Sequence, residues 1–182
     1  ASSGSLTTAR SQAAGSGTET AGLAFGGQTS PGAVSALNEK YNGSTWSEDA
    51  DLTTARRTIA GSGTQTSSIA FGGNTNPSSA TPSALSEEWN GTSWSETADL
   101  NTARFGLAGA GADKESAIAF GGGYPAVRSE TEEWNGTSWA ETADLNTARD
   151  YPGGMGTRES ALAFGGEVTN AVANTESWNG TS

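Results

Sequence analysis

The chain has 182 residues, of which 26 are glycine and 33% are apolar, and its nine basic and twenty acidic side chains give a net charge of −11. That length points to one domain. The thin apolar content excludes a large aliphatic core of the doubly wound α/β kind, and the acidity repels a phosphate backbone, so nucleic acid is not an expected partner. Cysteine and histidine are absent, which rules out disulfides and thiolate or imidazole metal ligation and removes the commonest general base and the strongest nucleophile.

In chain order, the first segment opens on Leu6-Thr-Thr-Ala-Arg10. A strand a is expected from Ser11 to Gly17, and a strand b from Ala21 to Phe25, closed by Gly26-Gly27. A connection from Gln28 to Ser35 leads to strand c, Ala36 to Tyr41. The pair Asn42-Gly43 then turns the chain into strand d, which carries Trp46. The same order restarts at Leu52, Leu100 and Leu145, a period of about 46 residues. The glycine pair recurs as Gly72-Gly73, Gly121-Gly122 and Gly165-Gly166. The aromatic ending strand c recurs as Trp89, Trp134 and Trp178, and the Trp opening strand d as Trp94 and Trp139. Gly, Ser, Thr and Asn dominate each copy and oppose helix. Asn-Gly predicts a two-residue hairpin with both residues at positive φ. The fold class is therefore all-β, with modules at 6–51, 52–99, 100–144 and 145–182 of four antiparallel strands each. No run of about 18 apolar residues is present to span a membrane.

One such module cannot bury both of its faces, so the aromatics are expected between neighbouring modules; platforms for sugar rings are the alternative use of the same side chains. An arginine column (Arg10, Arg56, Arg104, Arg149) matches a glutamate column (Glu39, Glu87, Glu132, Glu176) in number, which suggests one ion pair per interface, hydrogen-bonded to backbone carbonyls. The adjacent carboxylates Glu87/Glu88 and Glu132/Glu133 point to opposite faces of a strand, not to a shared catalytic site. Asp51, Asp99 and Asp144 read as turn-stabilising side chains without calcium-loop spacing. No metal, cofactor or enzymatic activity is expected.

The double glycine closing strand b, the glutamate two residues before the strand-c aromatic and the Trp opening strand d resemble the kelch repeat, in register four times. Ala-Arg stands where kelch modules often carry Pro-Arg. The resemblance implies a kelch-like β-propeller of four blades in this chain, with residues 1–5 completing the last blade if the ring closes; a window of a longer array, or several chains forming one ring, fit the same phasing. The wording Glu-Glu-Trp-Asn-Gly-Thr-Ser-Trp is similar to arrays in structural or tail-fibre-type proteins of marine bacteriophages, which implies a virion or extracellular location. In such blades the b–c and d–a connections share one face, where the copies differ most. That face is expected to bind a cell-surface glycan or protein, another virion protein, or further copies of the chain, through Gln28, Asn74, Asn76, Tyr124, Arg128, Glu167 and Asn170. A purely architectural role as spacer, decoration or filament subunit is the alternative.

Overall fold

The computed structural model describes residues 4–182, and among them there is no helix. The strands are β1 (Arg10–Ser11), β2 (Ala14–Thr18), β3 (Ala21–Phe25), β4 (Gln28–Thr29), β5 (Ala33–Val34), β6 (Asn38–Tyr41), β7 (Trp46–Asp49), β8 (Ala60–Thr64), β9 (Ser67–Phe71), β10 (Ser86–Trp89), β11 (Trp94–Glu96), β12 (Ala108–Asp113), β13 (Ser116–Phe120), β14 (Thr131–Trp134), β15 (Trp139–Glu141), β16 (Gly153–Thr157), β17 (Ser160–Phe164) and β18 (Thr175–Trp178). They form sheet I (β2, β3, β6, β7), sheet II (β8 to β11), sheet III (β12 to β15) and a three-stranded sheet IV (β16 to β18), each an antiparallel meander. A small separate sheet joins β1, β4 and β5. Strand a of the first copy starts at Ala14, not Ser11, because Ser11 is drawn into the β1–β4 ladder opposite Gln28.

The first strands of the sheets, β2, β8, β12 and β16, pack side by side in series, giving a propeller-like arrangement; no comparable packing joins β2 to β16 among the described residues. Alternation along strand b splits its residues between two neighbours. Leu23 and Phe25 face the next sheet, where they meet Leu52, Ile59, Ala70, Trp89 and Trp94. Ile69 and Phe71 meet Leu107, Ala117, Ala119, Trp134 and Trp139, and Ile118 and Phe120 meet Ala161, Ala163 and Trp178. Small residues on one sheet thus receive the large residues of its neighbour. The rings touch directly: Phe25 to Trp94 and Phe71 to Trp139 are both 4.9 Å between centroids. Trp89, Trp94, Trp134, Trp139 and Trp178 are buried, so they serve as core and not as sugar platforms. Each contributes about 1.5–3 kcal/mol of burial. Between sheets III and IV a cavity of about 40 Å³ lies beside Phe120 and Trp178.

The arginine and glutamate columns meet at all three junctions and once more on sheet I. Arg56 is fully buried and pairs with Glu87 at 2.8 Å; Arg10 meets Glu39 at 3.1 Å and Arg104 meets Glu132 at 3.2 Å, and Arg149 pairs with Glu176. Arg56 Nη1 also donates to the carbonyls of Gly72 and Leu85. Glu87 accepts from the backbone N–H of Thr53 at 2.6 Å, so the carboxylate also closes the turn ahead of its arginine. The arginine backbone belongs to the preceding sheet: Gly27 N–H donates to Arg56 O, and Arg56 N–H donates to Ser35 O. Here the first glycine of the pairs at 26, 72 and 121 is required. At Gly72, with φ of +65°, a methyl would sit 2.9 Å from Arg104 O and 2.7 Å from Leu107 Cδ2.

The expectation for the hairpins is corrected. The Asn-Gly turns are four-residue loops, since Tyr41 pairs with Trp46 and Trp89 with Trp94. Only the glycine takes positive φ, because the Asn side chain supplies the turn: Asn90 Oδ1 accepts from the N–H groups of Thr92 and Ser93. Residues 1–5 complete the last blade only if the ring closes; within the described residues, Gly4 N–H donates to Ser44 O of sheet I's hairpin at 3.1 Å. Residues 1–3 lie outside the described residues.

Candidate functional site

The residues following each arginine converge on the axis. The second residue after it (Gln12, Thr58, Gly106 or Tyr151) sits in the left-handed region at φ of 57°, 48°, 64° and 50°. A β-branched or aromatic residue pays about 1–2 kcal/mol there. What holds them is a run of backbone hydrogen bonds from copy to copy: Thr58 N–H to Gln12 O at 2.9 Å, Gly106 N–H to Thr58 O at 3.1 Å, and Tyr151 N–H to Gly106 O at 2.6 Å. Glycine at position 106 also makes room, since a methyl there would lie 3.1 Å from the Tyr151 ring.

All four copies therefore line two axial cavities. One, about 180 Å³, is walled by Gln12, Arg57, Thr58, Asn74, Ala80, Phe105 and Tyr151. The other, about 210 Å³, is walled by Ala13, Ile59, Leu107 and Pro152 together with Gln12, Thr58, Gly106 and Tyr151. The b–c connections curl around this mouth. Each folds back as a short ladder against the residue after the arginine: Ser11 opposite Gln28, Arg57 opposite Asn74, Phe105 opposite Gly123 and Asp150 opposite Glu167. The b–c and d–a connections thus share one face.

The mouth combines aromatic faces with polar groups. Tyr151 is 49% exposed and Tyr124 42%. Tyr124 lies against Phe105 with ring centroids 5.9 Å apart. Arg57 donates to Gln28 Oε1 at 3.1 Å. Burial and the neighbouring Glu167 carboxylate raise the Asp150 carboxyl above its ordinary value. Burial and the Asp150 charge raise the Tyr151 phenol, against the opposing pull of Arg57. Rings of this kind stack on the apolar faces of sugars or prolines, while the cation and the amides donate hydrogen bonds. Among the described residues, no three His, Cys, Asp or Glu side chains cluster as a metal site would need.

The structure distributes the seven residues expected at this face into three roles. Gln28 and Tyr124 stand at the mouth. Asn74 is buried, its Oδ1 accepting from Asn76 and Thr81 and its amide donating to Ser79, and Asn76 in turn accepts from Ser78 and Ser79. Both hold their loop together and have little left for a ligand. Arg128 is occupied by Glu130 at 2.6 Å, and its backbone N–H donates to Gly122 O while its carbonyl accepts from Arg149. Glu167 and Asn170 are exposed on the last connection. Sequence reasoning missed Gln12, Arg57, Phe105 and Tyr151. They differ in type from copy to copy, and their only common mark is a place one or two residues after the arginine.

No protein-family model matches the chain, and no curated protein matches it in sequence.

Proposed function

We propose that the chain is a non-catalytic binding module with a kelch-like propeller fold, carried on a virion or another extracellular structure, and that it contacts a cell-surface glycan or a partner protein through the axial mouth. The observation that carries this reading is the convergence of all four copies on an axial cavity lined by Phe105 and the exposed Tyr151, with the exposed Tyr124 ring lying against Phe105. The repeats agree where they hold the fold together and differ in the residues they send to the mouth: Arg57, Phe105, Asp150 and Tyr151. Selective contact needs such a division, a uniform scaffold with a varied rim.

A glycan array, followed by titration of any hit, tests it. Tyr151→Ala and Tyr124→Ala are expected to weaken binding at least about tenfold each, in line with the loss of an aromatic anchor. An array without a hit, together with no partner recovered from virions or cell envelopes, refutes the proposal, as does a bound ligand indifferent to both substitutions. An architectural role is favoured by a different observation, the free outer face of sheet IV.

A further inference from the structure

Each internal junction has the same parts. Two large residues of strand b face forward, and the next copy covers them with aromatics (two at the first two junctions, Trp178 alone at the third), a leucine and the carbonyl of its arginine. Where a neighbour follows, the forward pair is sealed: Leu23 and Phe25 are 2% and 0% exposed, Ile69 and Phe71 are both 0%, and Ile118 and Phe120 are 0% and 2%. On sheet IV the equivalent Leu162 and Phe164 are 39% and 38% exposed, with Met155 beside them at 54%. The glycine pair tells the same story. A methyl on Gly26, Gly72 or Gly121 would strike an arginine carbonyl at 2.8, 2.9 or 2.6 Å, whereas on Gly165 the nearest atom is 3.7 Å away.

The opposite end of the molecule carries the matching half. On sheet I, Tyr41 and Trp46 stack at 5.0 Å between centroids in the positions of Trp89 and Trp94. They line an open groove with Gly15 and Gly22, small residues of the kind that receive a forward-facing Phe elsewhere in the array. From this complementarity we infer that the chain self-associates head to tail, the forward face of sheet IV on one copy docking against the Tyr41–Trp46 face of sheet I on a second copy. The contact repeats the junction already made three times within the chain and is heterologous, so it yields a ring if the rotation closes and a filament if it does not. It is independent of the axial-mouth reading, and the Tyr124 and Tyr151 variants leave it unchanged.

Sedimentation of the 182-residue chain tests the inference. The wild type is expected to show concentration-dependent association to multiples of 18.3 kDa. Phe164→Asp and Trp46→Ser should each sediment as single chains, their folding checked by circular dichroism. Mixed, they should form a two-chain species and nothing larger, because each retains the face the other lacks. Gly165→Ala, whose methyl would meet nothing closer than 3.7 Å within one chain and would cost only the strain of a left-handed φ of +64°, should abolish wild-type assembly without unfolding it. A wild type that stays monomeric at every concentration overturns the inference, whether its two faces meet each other or await a further copy in a longer polypeptide. So do single variants that assemble as well as wild type, and a mixture that does not associate.

Discussion

The junction between sheets I and II makes a quantitative prediction about Arg56 and Glu87. Both are fully buried. Arg56→Met keeps most of the volume of the stem but removes the donors to Gly72 O, Leu85 O and Glu87 Oε1. The Glu87 carboxylate keeps its backbone donors Thr53 and Thr54 but stands in the interior without a counter-charge, a situation that costs about 3–5 kcal/mol. Glu87→Leu strands the guanidinium and leaves the Thr53 N–H unpaired, at a similar cost. The double variant leaves no buried charge. It retains unpaired carbonyl and N–H groups at about 1–3 kcal/mol for each that finds no water, so it should be no less stable than either single variant. Urea midpoints and m values for the four proteins measure this, and the coupling energy should reach at least about 2 kcal/mol. Additive single costs, or a loss below about 1 kcal/mol for Arg56→Met, would refute the claim that charge pairing holds the junction.

Three further outcomes are expected. Phe71→Ala, which empties a sealed site against Trp139, should cost about 3–5 kcal/mol in a urea titration, while Phe164→Ala on the open face, studied in a non-associating background, should cost well under half of that. Asn90→Ala removes the acceptor for Thr92 and Ser93 N–H and should cost about 1 kcal/mol, with strand exchange at that hairpin seen as faster amide exchange. At Glu176, burial raises the carboxyl, but the donors from Asn146 and Thr147 and the charge of Arg149 outweigh it and hold it below its ordinary value. Its contribution is therefore full above the unfolded carboxylate pKa and is lost as pH falls through the lower folded value. The stability gap between wild type and Glu176→Gln should accordingly be constant near neutrality and close in the acid limb of a pH series of urea midpoints.

Most of the framework was legible because it repeats in kind as well as in place. Each arginine ends the same Leu-x-Thr-Ala-Arg stretch and each glutamate stands two residues before the strand-c aromatic, and a buried charge demands a partner of equal multiplicity, so their pairing follows from counting. Trp89 and Trp94 were legible as core for the same reason. The Asn-Gly turn was misjudged because dipeptide chemistry speaks for the backbone alone; the side chain of Asn90, acting two and three residues ahead, converts the expected tight hairpin into a longer loop. The mouth was only half visible. Gln28 and Tyr124 lie in connections of variable wording, which invite attention. Arg57, Phe105 and Tyr151 sit beside the most uniform stretch of each copy, where only the convergence of four chain segments in space gives them a common purpose.

The straddling arginine has a consequence for how such a chain grows and fails. Its main chain is fastened to one sheet while its guanidinium is buried in the next, so no cut through the polypeptide yields two units that each keep a whole joint. An excised single period loses half of a fastening at both ends and has little to hold it folded. Gain or loss of one full period, by contrast, removes or adds a complete joint and leaves every remaining one intact. Unequal recombination within the gene can therefore change the length of the array without passing through a broken fold.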